Sequence, residues 1–222
     1  MQIRDRLRET INQRGPGVSS LPDAMHLLDE EIPEALRYIR AGAEKINYVL
    51  SGILRFSRLG RIALNTEPLN INAMVANIAT VMEFQLKEKG VLLQIDDLPD
   101  CIGDEILVSQ VFSNLIENAY KYLDPARPGV IRVSGKIKEG LSIYAVEDNG
   151  IGIQEDYQGK IFEMFHRLDP TEGSGEGLGL TIVRRIIERH QGEVWVESDY
   201  GIGTTFSLSL PCAVSALKEK AS

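Results

Sequence analysis

An apolar stripe in the first third of the chain constrains the fold most strongly. Three acidic residues at 29–31 and a proline at position 33 favour a helix start just before this stripe, and Gly60 marks its expected end. Alternating steps of four and three residues keep such a stripe on one side of a helix, as in bundles and coiled coils. The sequence therefore predicts one long amphipathic helix. Its stripe consists of Ile32, Leu36, Ile39, Ala43, Ile46, Leu50 and Ile53.

A shorter helix is expected before the long one. Ile3, Leu7 and Ile11 are four residues apart, and the segment stops at a Gly-Pro-Gly sequence at 15–17. The two helices form a predicted hairpin over residues 1–63. Two helices alone cannot cover the apolar stripe, so we expect it to pack against a second copy of the chain in a homodimer. The alternative is that the stripe packs on the domain that follows.

Residues 64–214 carry a different pattern, and residues 215–222 form a short tail. Helices are expected over 71–85, 103–122 and 178–191, and strands over 91–95, 130–136, 141–147, 193–197 and 204–210. Strands joined mostly by hairpins, with helices in blocks, indicate an α+β fold, a two-layer α/β sandwich with helices on one face. A long, polar, glycine-rich segment at 153–177 stands apart, and loops of that length are usually functional.

Composition excludes several classes of protein. The apolar content of 43% suffices for a core, and a net charge of -8 argues against a nucleic-acid partner. Cys101 and Cys212 match no metal-ligand spacing and are expected to be free, packed thiols. There is no long apolar run and no signal-peptide pattern, so we expect this segment to be cytoplasmic, with any membrane anchor lying outside it.

A polar helix face is the first of four segments that suggest chemistry. Asn114, Asn118, Lys121 and Tyr122 lie at helical spacings on the helix predicted over 103–122. An amide oxygen is a neutral ligand for hydrated magnesium, and a lysine supplies a point charge for phosphate. Taken alone, such a face is also typical of an ordinary solvated helix.

The second segment follows the strand predicted over 141–147. Asp148 is followed at two-residue intervals by Gly150 and Gly152. A carboxylate at a strand end can point into a site, and glycines let a flat ring approach the backbone closely. A plain turn uses the same residues.

The third and fourth segments lie in and after the long loop. Gly175, Gly177 and Gly179 surround Leu178 at the start of a predicted helix, where free backbone N–H groups can bind phosphate. The loop follows no strand and lacks the Gly-Lys-Ser/Thr ending, so it is neither a dinucleotide fingerprint nor a P-loop. Upstream, two aromatic residues could anchor a lid from which an arginine reaches phosphate. These residues are Phe162, Phe165 and Arg167.

The order and spacing of the four segments resemble the N, G1, F and G2 boxes of sensor histidine kinases, in the superfamily that includes gyrase, Hsp90 and MutL. The resemblance covers about residues 20–212, and the sequence LRFSRLGR at 54–61 is similar to kinases of the bacteriophytochrome-like kind. It implies the Bergerat-type ATP-binding fold of that superfamily. It also implies transfer of the γ-phosphoryl group of Mg-ATP to a histidine, and then to the receiver domain of a response regulator.

The resemblance also assigns roles to single residues. Asn118 is the implied magnesium ligand, supported by Asn114, and Lys121 is expected to meet phosphate. For the adenine, Asp148 is the implied acceptor from the amino group and Tyr122 the residue lying against the ring. The other implied nucleotide contacts are Gly150, Gly152, Gly175, Gly177, Leu178, Gly179, Thr204 and Thr205, with Arg167 on the lid and Phe162 and Phe165 as its anchors.

The chain departs from the family in one respect. The phosphoacceptor pattern of these kinases, a histidine followed by an acid and then Arg/Lys-x-Pro-Leu, is not present in the sequence. His26, His166 and His190 lie in other contexts, so we expect ATP binding with little or no autophosphorylation by this chain alone. Three alternatives stay open: a clamp ATPase, which usually has glutamate at the position of Asn114; an anti-sigma-type serine kinase, which usually lacks a long dimerisation helix; and a degenerate kinase acting as a dimeric interaction module.

Overall fold

The computed structural model describes residue 29, residues 31–43, residue 46 and residues 63–163 and 178–213. The chain divides into two compact units, Met1–Ile53 and Leu54–Ser222. Residues 32–43 and 46 of the first unit are helical, as the stripe predicts. The rest of the predicted hairpin, including His26, lies outside the described residues, and the domain bounds 1–63, 64–214 and 215–222 stay a prediction. None of the described helices is both long and apolar enough to cross a membrane.

The second unit consists of seven strands and four helices among the described residues. The strands are β1 Glu67–Leu69, β2 Leu92–Ile95, β3 Cys101–Gly103, β4 Val130–Lys138, β5 Leu141–Asp148, β6 Val194–Asp199 and β7 Gly203–Pro211. The helices are α1 Ile71–Lys89, α2 Glu105–Lys121, α3 Glu155–Gln158 and α4 Gly179–Arg189. The main sheet has the order β2-β4-β5-β7-β6, parallel only between β2 and β4, and β1 pairs with β3 in a separate antiparallel ribbon.

One face of the main sheet is buried under the helices. Along β5 every second side chain is buried, from Ser142 to Asp148, as the period of two in a strand requires. Phe112 of α2 packs edge-on against Tyr144 of β5, with ring centroids 5.3 Å apart. The predicted two-layer α+β sandwich is confirmed. Its helical layer is set by the apolar side of α2, which buries Val108, Val111, Phe112, Leu115, Ile116 and Ala119.

The start of the second predicted helix was placed too early. Gly103 is the last residue of β3, and α2 begins at Glu105. Asp104 is the N-cap, and its Oδ1 accepts a hydrogen bond from the backbone N–H of Leu107 at 3.2 Å. Strands β1 and β3 were not predicted, because three residues are too few to show an alternating pattern.

His190 joins α4 to the start of α2. Its buried ring accepts a hydrogen bond at Nε2 from the backbone N–H of Asp104 at 2.9 Å. Its Nδ1 lies 2.7 Å from the carbonyl oxygen of Ile186 and donates to it, which places the ring proton on Nδ1. Both nitrogens are occupied, so the ring has a packing role and is a poor phosphoryl acceptor.

The two cysteines meet in the fold although they are far apart in the sequence. Cys101 and Cys212 face each other across an isolated antiparallel bridge, and both are free and buried. The prediction of free, packed thiols is confirmed. Burial raises the pKa of Cys101 to about 12.

The burial of these thiols predicts low reactivity in the native protein. Only a thiolate attacks a disulfide reagent, and burial limits both ionisation and access at Cys101. We expect Ellman's reagent to react slowly with the folded chain at pH 8. Both thiols should react promptly in guanidinium chloride, which serves as the control. Rapid release of two equivalents from the folded chain would contradict this packing.

Candidate functional site

The centre of the candidate site is a carboxylate at the end of β5. Asp148 is 6% exposed, and the backbone N–H of Gly150 donates to its Oδ1 at 2.8 Å. Burial raises the pKa of Asp148 to about 6, and the charge of Glu147 acts in the same direction. Backbone hydrogen bonds from Gly150 and Thr204 and the charge of Arg127 lower this pKa. At neutral pH the carboxylate is ionised and incompletely solvated, which makes it a strong acceptor for a ligand N–H.

The glycines after Asp148 allow three backbone segments to meet. A Cβ atom at Gly150 would overlap the carbonyl oxygen of Tyr122, the C-cap residue of α2. Gly152 has a φ of +69°, and a Cβ there would overlap the carbonyl oxygen of Asp199 at the end of β6. The 149–152 loop therefore passes directly between the end of α2 and the β6–β7 turn.

The polar residues of α2 lie along one side of this loop. Asn114, Asn118, Lys121 and Tyr122 are all half-buried. Lys121 Nζ is 3.3 Å from the hydroxyl of Tyr122 and 4.8 Å from the centroid of its ring, a cation–π contact. This arrangement places a positive charge beside an aromatic face at the C-terminal end of the helix.

The start of α4 lies near the same helix. The Oδ1 atom of Asn114 would be 3.3 Å from a Cβ placed on Gly179, the first residue of α4. Buried Leu178 is the N-cap residue and makes no side-chain capping bond. Asn114 Nδ2 and Thr181 Oγ1 are buried and have no hydrogen-bond partner among the described residues. Free donors at a helix N-terminus suit an anion.

The two predicted threonines point to opposite faces of β7. Thr204 is buried beside Asp148, its cross-strand partner, and its Oγ1 is 3.0 Å from Ser198 Oγ. Thr205 pairs with Glu147, so it lies on the other face of the sheet. The structure brings Thr204, and not Thr205, to the side of the candidate site.

Part of the predicted lid is also described. Phe162 is buried and packs edge-on against Phe206, with ring centroids 6.2 Å apart. The other predicted lid and loop residues lie outside the described residues. They are Phe165, His166, Arg167, Gly175 and Gly177.

Sequence reasoning missed the side chains that hold the site together. Asn149 Oδ1 accepts from Val130 N–H at 2.8 Å, and its Nδ2 donates to Pro128 O at 2.8 Å. Both main-chain groups of Ile153 are bound by side chains. Gln158 Nε2 donates to the Ile153 carbonyl oxygen at 3.0 Å, and the Ile153 N–H donates to Ser198 Oγ at 2.8 Å. Apart from the bond from Gln158 to Ile153, these side chains contact main-chain groups of distant segments, for which a single sequence carries no signal.

Comparison with known proteins gives a consistent result. The sequence profile of the family described as "Histidine kinase-, DNA gyrase B-, and HSP90-like ATPase" matches residues 103–214. Cyanobacterial phytochrome B of Nostoc sp. strain PCC 7120 is 37% identical over 194 residues, which are 86% of this chain and 26% of that protein. The chain thus spans about a quarter of the length of this curated relative.

Two solved structures have the same fold. The crystal structure of full-length ShkA in complex with AMPPNP superposes with a TM-score of 0.64 at 26% identity, over 96% of this chain and 45% of ShkA. The catalytic domain of histidine kinase ThkA gives a TM-score of 0.59 at 26% identity, over 68% of this chain and 97% of that domain. The predicted resemblance to bacteriophytochrome-like histidine kinases is confirmed by cyanobacterial phytochrome B together with these two structures.

Proposed function

The chain belongs to the family of histidine kinase-, DNA gyrase B- and HSP90-like ATPases, and from that premise we propose that it is the catalytic part of a sensor histidine kinase. In this proposal it binds Mg-ATP and transfers the γ-phosphoryl group to a histidine. The observation that carries the proposal is the buried Asp148 carboxylate, held at the end of β5 beside the polar face of α2.

The base is recognised by Asp148 and its neighbours. The ionised carboxylate accepts a hydrogen bond from the adenine amino group, and Thr204 supports the same pocket from β7. Gly150 and Gly152 leave the ring room to approach the backbone, since neither has a Cβ. Tyr122 lies against the base. A guanine base would present a carbonyl oxygen to Asp148, so the pocket discriminates against GTP by charge repulsion.

The phosphates are bound between α2 and the start of α4. The backbone N–H groups of the first turn of α4, which begins at Gly179, donate hydrogen bonds to the phosphates, and Lys121 contributes a positive charge. Gly175, Gly177 and Arg167 complete this region in the proposal. Phosphoryl transfer requires mainly positioning and neutralisation of charge, which these groups provide.

The residues present also fit a magnesium ion. Asn118 offers a neutral amide oxygen on the face of α2 that carries Lys121, and the buried Asn114 amide beside it retains an unused donor that can fix a ligand or a water. Bound there, magnesium supplies neutralisation of the phosphate charge.

The acceptor and the partners are further parts of the proposal. The chain has no histidine in the acceptor pattern, so the acceptor belongs to a segment outside this sequence. The next partner is the receiver domain of a response regulator, on the cytoplasmic side. Homodimerisation through the first helical unit is supported by the exposure of its stripe, since Ile32, Leu36, Ile39 and Ile46 are 46–67% exposed.

Two other functions are less well supported. A clamp ATPase needs a general base where this chain has Asn114, and an amide cannot take a proton from water. A degenerate interaction module would not need an ionisable carboxylate buried at the end of β5, which costs free energy without a ligand. The candidate site is intact in its described residues, which favours the kinase.

A labelling experiment tests the proposed transfer. We expect no stable label on this chain alone after incubation with Mg²⁺ and ATP labelled at the γ position, because the acceptor is missing. Mass spectrometry under alkaline conditions, which preserve phosphohistidine, would examine His26, His166 and His190. Phosphorylation of His26 would contradict the assignment of the acceptor to another segment. A parallel titration with and without magnesium measures whether ATP binding depends on the metal.

A further inference from the structure

Arg127 lies where three segments around the candidate site converge. It belongs to the connection between α2 and β4, which follows the C-cap residue Tyr122. The other two segments are the 149–152 loop and the β6–β7 turn. A direct backbone bond already links them, from Gly201 N–H to Ile151 O at 2.8 Å. The sequence analysis did not single out Arg127.

A single nitrogen of Arg127 contacts both of the other segments. Its Nη2 is 2.7 Å from the carbonyl oxygen of Gly150, 2.9 Å from that of Gly201 and 3.0 Å from that of Ile202. Its buried Nε makes no hydrogen bond among the described residues but lies 3.4 Å from Asp124 Oδ2, an ion pair with its own segment. The guanidinium therefore contacts backbone carbonyl groups at Nη2 and the Asp124 carboxylate at Nε.

Gly150 connects Arg127 to Asp148, the proposed acceptor of the base pocket. The carbonyl oxygen of Gly150 accepts a hydrogen bond from Arg127 Nη2, and the N–H of Gly150 donates one to Asp148 Oδ1. Gly201 and Ile202 lie in the turn that leads into Gly203 and Thr204 of β7. Fixing these three carbonyl groups thus fixes both backbone segments that carry the polar groups of the pocket.

We propose that Arg127 is a positioning residue for nucleotide recognition, which joins the 149–152 loop to the β6–β7 turn and, through Gly150, holds the Asp148 carboxylate in place. This inference rests on the proposed function, because it concerns the same base pocket. Arg127 acts through Gly150, Gly201 and Ile202 and makes no contact with the reacting atoms.

The charge of Arg127 gives it an effect beyond that of a structural clamp. Of the charged neighbours of Asp148, Glu147 raises the pKa of the carboxyl group and Arg127 lowers it, while burial is the largest cause of its elevation. Removing the guanidinium charge should therefore raise the pKa of Asp148 further. The backbone clamp also acts on this pKa, through the hydrogen bond from Gly150 N–H to Asp148, so the two causes are separated by comparing variants that keep a donor with variants that keep the charge.

Three substitutions separate the geometric role from the electrostatic one. Arg127→Met removes both the donors and the charge, Arg127→Gln keeps an N–H donor without the charge, and Arg127→Lys keeps the charge without the planar group. Lys138→Met is the matched control. It removes a positive charge from the far end of β4, seven residues or ~23 Å along the strand from Ile131, the partner of Asp148.

The first measurement needs no nucleotide. NMR titration of the Asp148 side-chain carboxyl carbon should give a higher pKa in Arg127→Met and Arg127→Gln than in the wild type, and little change in Arg127→Lys and Lys138→Met. An unchanged pKa in a folded Arg127→Met chain would overturn the electrostatic half of the proposal. Since the titration is carried out on the nucleotide-free chain, it remains informative even if the proposed function is wrong.

The second measurement is ATP affinity by calorimetry at pH 7.5. We expect Arg127→Met to bind ATP about tenfold more weakly, because the loop and the turn are no longer held in the binding geometry, with Lys138→Met equal to the wild type. Tight ATP binding by the wild type and by Arg127→Met alike would overturn the positioning role. No ATP binding by the wild type would instead refute the proposed function. Circular dichroism establishes that each variant is folded.

Discussion

Asp148→Asn is expected to abolish ATP binding and at the same time to stabilise the nucleotide-free fold. The carboxylate is the proposed acceptor for the adenine amino group. In the variant the amide oxygen keeps the hydrogen bond from Gly150 N–H, so the amide NH2 group faces the adenine amino group, donor against donor. The same carboxylate is 6% exposed, and burial raises its pKa to about 6. A charge that is costly to bury without a ligand destabilises the fold when it forms.

The direction of the pH dependence follows from the raised pKa of Asp148. Between its ordinary value of 3.8 and the folded value of about 6, the folded state holds the proton and the unfolded state releases it. The free energy of unfolding therefore decreases as pH rises through this window. At pH 7 the ionised carboxylate costs about 3 kcal/mol, which Asp148→Asn removes.

Urea unfolding measures this effect directly. The variant should be more stable than the wild type at pH 7 by up to about 3 kcal/mol, and the difference should vanish near pH 4. Glu193→Gln is the control, since it neutralises an exposed carboxylate that does not contribute to the pKa of Asp148. A variant that is less stable than the wild type at pH 7 would show that the charge of Asp148 does not destabilise the fold.

Gly150→Ala is expected to have the second large effect. The added Cβ would overlap the carbonyl oxygen of Tyr122 and lie 2.7 Å from Asp148 Oδ1. Neither the end of α2 nor the carboxylate can move without losing its own contacts, so the loop must shift. We expect a loss of about 3 kcal/mol in the free energy of unfolding and at least a tenfold loss of ATP affinity.

Gly159→Ala is the matched control for this substitution. Gly159 follows α3 with a φ of -68°, and a Cβ there would meet no atom within 4 Å. Its change in stability should stay within about 0.5 kcal/mol. The tight approach of the 149–152 loop to α2 would be refuted if the two alanine variants unfolded at the same urea concentration.

Most of the fold could be predicted from the sequence because its elements are long and periodic. The alternation along β5 and the apolar side of α2 are clear over 8 and 17 residues. The predicted start of α2 was wrong because the capping residue Asp104 and the preceding three-residue strand leave no periodic signal. Helix α1 was predicted to end at residue 85 but continues to Lys89, where Gly90, with a φ of +65°, is the C-cap residue.

The candidate site was predictable only as far as its residues form local motifs. Asp148, Gly150 and Gly152 follow one strand, so the sequence could place them together. Thr204 and Thr205 could not be separated before the register of β5 and β7 was known, since only pairing shows which one lies beside Asp148. Arg127 gave no signal at all, because its partners are carbonyl groups up to 75 residues away.

The most direct test of the central claim is a calorimetric titration of the wild-type chain with ATP and with GTP, each in the presence of magnesium. A pocket built around an ionised Asp148 should bind ATP with at least 100-fold preference over GTP, about 3 kcal/mol, because only adenine offers a donor at that position. Equal affinity for the two nucleotides, or no binding of either, would contradict the assignment of this site as an adenine nucleotide pocket.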